Sequence, residues 1–226
     1  MIKKLISFFL FLMILSGCAN GSGASSITKA DDSKSTPEGV NNIIKSNNQF
    51  AFDLYLELKD VPEYNESNIF FSPYSISVAL GMTYEGAKGE TAEEIQSVFY
   101  FPEDKNIRQP SFAKIYNQIN KVDKKYELHT ANALWAQKDY KFLEEYINTI
   151  EKYYVGKVTN VDFINATEDA RVTINKWVEE QTNNKIKDLI PAGVLNALTR
   201  LVLTNAIYFK GLWINQFDKE ETREEI

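Results

Sequence analysis

The sequence predicts an α+β domain in which helices come early and strands later, and three observations predict it. Apolar residues recur at helical spacing over much of residues 47–119, the stretch Leu128 to Gln137 alternates faces, and Leu201 to Phe209 is an almost continuous run of branched and aromatic residues. Helices and strands interleave without regular βα alternation, which argues against a doubly wound fold. The sequence has no evident internal repeat.

The first helix is expected from Asn47 to about Lys59, where Phe50, Ala51, Leu54, Tyr55 and Leu58 share a face. Pro62 and the polar residues 63–67 make a turn, and Ile69-Phe70-Phe71 forms a short apolar strand. Ser72 then offers a hydroxyl to the free amides of a first helical turn, while Pro73 has its φ fixed and no amide to satisfy. The helix that follows holds Ile76, Val78, Ala79, Leu80, Gly81 and Met82, apolar on more than one face, so deep burial is expected until Gly86 ends it. Thr91 and Glu94 fit a capping box for a helix through Ile95, Val98 and Phe99, with Pro102 beyond it. Another helix is expected around Phe112, Ile115 and Ile119.

Within 128–137, Leu128, Thr130, Asn132 and Leu134 lie on one side and Ala131, Ala133 and Trp135 on the other. Helical spacing returns over 142–154 through Phe142, Tyr146, Ile147, Ile150 and Tyr154, and Gly156 breaks it ahead of a strand from Val158 to Phe163. Asn165 and Glu168 offer a cap to a helix whose buried stripe is Ala170, Ile174, Trp177 and Val178, with Arg171, Lys176, Glu179 and Glu180 towards water. The run 201–209 has the pattern of a strand covered on both faces, so a central place in the sheet is expected.

The chain has 226 residues and 44% hydrophobic content, enough for a sizeable core. Its 25 basic and 31 acidic residues leave a net charge of −6, which gives nucleic acid no electrostatic foothold as a partner. Residues 1–17 read as a signal peptide: Lys3 and Lys4, an apolar run from Leu5 to Leu15, then Ser16 and Gly17. That run is shorter than the roughly 20 apolar residues a membrane-spanning helix needs.

Leu15-Ser16-Gly17-Cys18 resembles the lipobox of prokaryotic lipoproteins, whose cysteine thiol receives a diacylglyceryl group and becomes the first mature residue. Cys18 is the chain's only cysteine, so lipidation there leaves a body without thiols or disulfides. Residues 18–46 are expected to be the lipidated cysteine and a flexible tether, rich in Gly, Ser, Asn, Asp and Lys, and residues 47–226 the folded part. The expected location is outside the cell, at the membrane through a lipid on Cys18.

Catalytic motifs are sparse. His129 is the single histidine, lies on an expected strand and has no G-x-S-x-G nucleophile motif beside it, so no catalytic residue is assigned. One His and one Cys cannot make a zinc cluster, and no cofactor or metal site is assigned. Gly81 to Lys88 looks like a phosphate loop, but Ala87 stands where the lysine belongs. Neighbouring carboxylates such as Glu93/Glu94, Glu144/Glu145 and Glu179/Glu180 diverge on their helices and read as solvated faces.

Four segments in order carry a family resemblance: Asn68-Ile69-Phe70-Phe71-Ser72-Pro73-Tyr74-Ser75-Ile76; Gly86-Ala87-Lys88-Gly89-Glu90-Thr91-Ala92-Glu93-Glu94-Ile95; Asn175-Lys176-Trp177-Val178 with Thr182 to Ile190; and Leu203-Thr204-Asn205-Ala206-Ile207-Tyr208-Phe209-Lys210-Gly211-Leu212-Trp213. Together they resemble the N-terminal half of a serpin, a serine protease inhibitor. The resemblance implies a large β-sheet A with Val158 to Phe163 as its first strand, Leu128 to Gln137 as its second and Leu201 to Phe209 as its third, crossed in front by the helix at 166–182. It also implies that Ser72, Ser75 and Asn205 lie in the shutter beneath the opening sheet and Trp213 in the breach above it. Taken by themselves these residues are a helix cap, a first-turn serine, a buried amide that needs partners and a core aromatic.

Serpins expose a reactive loop to a serine or cysteine protease and trap the acyl-enzyme when the cleaved loop inserts into sheet A. The resemblance places that loop beyond Ile226, so this chain is expected to hold no reactive centre, and a protease partner belongs to a longer protein. The end, Glu220 to Ile226, has neither helix cap nor turn and suggests truncation, with the third strand's edge left open. The alternative expectation is a truncated, non-inhibitory surface lipoprotein acting as a binding or structural module.

Overall fold

A computed structural model describes residues 29–64, 67–121, 126–221 and 223. The expected signal peptide, Cys18 and residues 19–28 lie outside the described residues. In chain order the elements are α1 (Pro37–Lys59), α2 (Pro73–Gly86), α3 (Glu90–Phe99), α4 (Lys105–Ile119), β1 (Tyr126–Gln137), α5 (Glu144–Tyr154), β2 (Gly156–Val161), α6 (Thr167–Gln181) and β3 (Leu201–Gly211).

α2 starts as its sequence dictates: the Ser72 hydroxyl accepts from the Ser75 amide at 3.3 Å and Pro73 takes the first helical position. α1 starts ten residues before the expected Asn47, which corrects the extent of the tether. The Thr36 hydroxyl caps it by accepting from Gly39 N at 3.0 Å, and Gly39, Ile43, Ser46 and Phe50 form one buried stripe at helical spacing. Half of that stripe is Gly and Ser, so hydrophobicity alone does not reveal it. Gly39 is needed there, because a Cβ would stand 2.7 Å from Ser111 Oγ on α4.

Three local expectations are corrected in the same way. Residues 69–71 form no strand, and Phe70 is fully exposed. The Thr91–Glu94 capping box does not form: Gly89, at φ +57°, is the cap, and its carbonyl accepts from Ala92 N and Glu93 N. Asn165 does not cap α6 either. Asp162 organises the turn instead, its carboxylate accepting from the Ile164 and Asn165 amides at 3.1 and 2.9 Å.

β1 is the middle strand. It pairs parallel with β2, from Asn132↔Gly156 to Gln137↔Val161, and antiparallel with β3, from Tyr126↔Gly211 to Ala136↔Leu201. Among the described residues the strand order is β2-β1-β3, with β3 paired to β1 alone. The even-numbered face of β1 carries Leu134 and Ala136 into the larger core, with Ile43, Phe50, Val78, Met82, Phe112, Ile150 and Tyr154 from α1, α2, α4 and α5. The odd-numbered face packs Ala133 and Trp135 on Ala170, Ile174, Trp177 and Val178 of α6, the stripe expected from the sequence. The buried Trp135 indole donates to Thr204 Oγ1 at 3.0 Å.

The loop after α6 is clipped to it by Asn175, whose amide accepts from Ile190 N and donates to Ile190 O, each at 2.9 Å. Asn183 and Asn184 in that loop have positive φ, a conformation asparagine tolerates better than most residues. The turn from α5 to β2 is tighter. Val155 adopts φ +52°, strained for a branched residue, and a Cβ on Gly156 would meet Ile150 Cγ2 at 2.5 Å.

A buried ion pair joins α2 to α4. Arg108 donates through Nε and Nη2 to the Glu85 carboxylate at 2.9 and 3.2 Å, and through Nη1 to the carbonyls of Pro102 and Glu103. Glu85 also accepts from Gln109 Nε2 at 2.7 Å and from the Tyr154 hydroxyl at 2.8 Å. Both side chains are almost wholly buried, at 4% and 6% exposure. Burial and the adjacent Glu85 push the Tyr146 phenol up to about 12 and the Tyr154 phenol well above its ordinary range.

Two outcomes follow. Each Glu85 oxygen accepts from two donors, and Glu85→Gln keeps the shape but removes the charge and turns one of these oxygens into a donor, so unfolding in urea should show a loss of about 3–5 kcal/mol, the cost of breaking a buried pair. The Asp162 carboxyl is held below its ordinary value, chiefly by the Asn165 amide and then by Lys138. Its contribution is therefore complete above about pH 4 and is lost as pH falls through the lower folded value. In acid titration the amides of Ile164 and Asn165 should lose protection from exchange before those of β1.

Candidate functional site

The residues that combine burial, polarity and mutual contact lie where α2 passes beneath β1 and β3. Asn132 and Asn205 sit directly opposite each other in the β1–β3 register. The Ser75 hydroxyl donates to the Asn205 side-chain oxygen, Asn205 Nδ2 donates to Asn132 Oδ1 at 2.6 Å, and Asn132 Nδ2 donates to the Tyr154 carbonyl at 2.8 Å. Ser72 stands behind Ser75 as its helix cap. One line of hydrogen bonds thus crosses α2, β3, β1 and the end of α5.

Even residues of β1 and odd residues of β3 turn towards the helices on this side, which is why these amides meet α2 rather than α6. Asn132 is 2% exposed, so its amide must be paired. The alternation of β1 puts Asn132 on this face but does not mark it as part of the site. The signal available was an asparagine in the middle of each of two strands, and only the register shows that they meet.

The other candidates separate. Trp213 is 72% exposed and touches Phe217 edge-on at 5.9 Å, so the expectation of a core aromatic is corrected. His129 lies exposed on β1 with its ring stacked on Tyr208. An apolar cavity of about 220 Å³ lies beside the start of α2, lined by Ile43, Tyr74, Phe101, Phe112 and Ile115. The Ser77 hydroxyl donates to Asn47 Oδ1 at its margin, and burial raises the Tyr74 phenol well above its ordinary range.

Beyond this network β3 has no strand partner on its outer side among the described residues. Its C-terminal end and the residues after it include exposed apolar side chains, Phe209, Leu212, Trp213, Ile214 and Phe217.

Comparison with known proteins gives this geometry a family. The model described as "Serpin (serine protease inhibitor)" matches residues 45–226. The chain belongs to the serpin family. An uncharacterized serpin-like protein of Methanosarcina acetivorans is 43% identical over 226 residues, covering 97% of this chain and 53% of the relative. Human Serpin B3 is 43% identical over 202 residues, covering 82% and 51%. Among solved structures, ovalbumin from the emu, Dromaius novaehollandiae, superposes with a TM-score of 0.76 at 33% identity, covering 81% of this chain and 50% of the ovalbumin.

The chain spans about half the length of the relatives it matches. The strand order β2-β1-β3, with α6 across one face, is the serpin sheet arrangement expected from the four motifs.

The network is open to a direct test. Asn205→Ala leaves the Ser75 hydroxyl without its acceptor and Asn132 Oδ1 without its donor, so urea unfolding should show a loss of about 1–3 kcal/mol. Adding Asn132→Ala should cost less than the sum of the two single changes, because both remove the same bond.

Proposed function

We propose that the protein to which this serpin chain belongs inhibits serine or cysteine proteases by taking a cleaved reactive loop into its sheet. The observation that carries this reading is the match of the serpin family model over 45–226, with the strand order β2-β1-β3 and the Ser75–Asn205 bond beneath it. Ser72, Ser75 and Asn205 then act as the shutter: their bonds tie β3 to α2 and resist, or yield to, movement of β3 when a new strand enters. Trp213, just past the end of β3, takes the breach position where an entering segment would first meet the sheet.

The same reading holds the protein outside the cell, with a signal peptide over residues 1–17 and a lipid on Cys18 as its membrane anchor.

The deciding experiment incubates the full-length gene product with a panel of serine and cysteine proteases. The expected result is an SDS-stable covalent complex with at least one of them, together with progressive loss of that protease's activity. Clean cleavage of the loop without a trapped complex on any protease would overturn inhibition and leave a non-inhibitory surface module.

A further inference from the structure

The segment ahead of α1 is bound to the body rather than hanging from it. Ala30 is 2% exposed and packs with Ala113 and Tyr116 of α4, against Tyr153 and Val155 at the end of α5. Its backbone is gripped from both sides by one side chain: Ala30 N donates to Asn117 Oδ1 and Asn117 Nδ2 donates to Ala30 O, each at 2.9 Å. The next residue reaches α5, where Asp31 N donates to the Lys152 carbonyl at 2.9 Å and the Asp31 carboxylate lies 3.2 Å from Lys152 Nζ. Asp32 lies 3.2 Å from Lys114 Nζ on α4 and 3.8 Å from Lys29. Hydrogen bonds from Ser33, and then Lys152, hold the Asp31 carboxyl down at about 2. Two backbone-specific amide contacts, a buried methyl and ion pairs to two helices amount to a docked strap, not to passing contact.

We propose that Lys29 to Ser33 form a strap that sets where the lipid tether leaves the body, so that the α4–α5 side of the domain is held towards the bilayer. This rests on the reading of Cys18 as the lipid attachment point. The argument is one of reach. At the full extension of about 3.3–3.6 Å per residue, the chain from Cys18 to Lys29 spans at most about 40 Å, whereas a tether free up to α1 at Pro37 would span about 65 Å.

A folded chain of this size is about 40 Å across, so a tether must run about 60 Å round the body to bring the opposite face to the membrane. The longer tether would let any face turn to the membrane, and the shorter one does not. α4 and α5 pack on the even-numbered face of β1 and α6 on the odd-numbered face, so the α6 side is turned towards the medium. The occupant of the α4–α5 groove is thus the chain's own exported N-terminal segment, and the partner faced by that side is the lipid surface.

The test uses the full chain, lipidated in cells and reconstituted in phosphatidylcholine vesicles containing a lipid-attached energy acceptor. A donor dye is placed on Gln118→Cys, exposed beside Asn117, or on Val172→Cys, on the outer face of α6. Transfer should be several-fold stronger from position 118 than from 172, and the paired change Asn117→Ala with Lys114→Ala should bring the two together. In the unchanged chain the Ala30 and Asp31 amides should exchange at least ten-fold more slowly than in that paired variant.

Equal transfer from both positions on vesicle-bound protein overturns the orientation. Amides of Ala30 and Asp31 exchanging at free-chain rates overturn the strap, whether or not the protein is lipidated. A chain that fails to float with vesicles, as Cys18→Ser should, overturns the anchor and the proposal with it, while leaving slow exchange at Ala30 and Asp31 to stand as a fact of the body.

Discussion

The pairing of Asn132 with Asn205 is the constraint on which the rest of this half-domain depends. An amide withdrawn from water without partners costs several kcal/mol, so the two strands cannot settle in any register that separates them. A slip of β3 by one residue would also carry Asn205 to the α6 face, among Ala133, Trp135 and Ile174, and leave Asn132 without its donor. The register in turn fixes α2, because Ser75 reaches Asn205 only if the helix begins at Ser72 and Pro73.

Tyr154 couples this network to the buried charges at the other end of α2. Its carbonyl accepts from Asn132 and its hydroxyl donates to Glu85, while its ring packs on Phe112 at 5.3 Å. α2 is therefore pinned at Ser75 and again at Glu85, and both pins run through one residue of α5. The strained turn that follows belongs to the same design. Val155 at positive φ and Gly156 against Ile150 bring β2 into line with β1 within two residues of Tyr154. A helix held at both ends is a rigid floor under β1 and β3, and among the described residues the Ser75–Asn205 contact joins that floor to β3 through side-chain hydrogen bonding.

What the sequence made legible was apolar spacing. The stripe of α6, the two faces of β1 and the cap of α2 follow from periodicity and from Ser72-Pro73, and the order of strands follows from the serpin-like motifs. What it hid was polar structure made by distant residues. Glu85 and Arg108 look like two surface charges until α2 and α4 are packed together, and Asn132 looks like one more member of an alternating strand until Asn205 stands opposite. The first ten residues of α1 look like tether because Gly39 and Ser46 make up two of their three buried positions. The Thr91 cap failed for a related reason: a glycine in a left-handed conformation starts α3 earlier, and side-chain patterns do not report backbone conformation.

β3 shows the limit most clearly. Its run of apolar residues predicts a central strand, and among the described residues it pairs with β1 alone. Hydropathy reports which faces of a strand are covered, and here α2 covers one face and α6 the other. It is silent about edges, whose N–H and C=O groups are the same in every sequence. The pattern of β3 therefore fits a strand with neighbours on both sides as well as it fits a strand paired on one, and what ties β3 to its surroundings is Asn205, bonded both to α2 and to β1 at the middle of the strand.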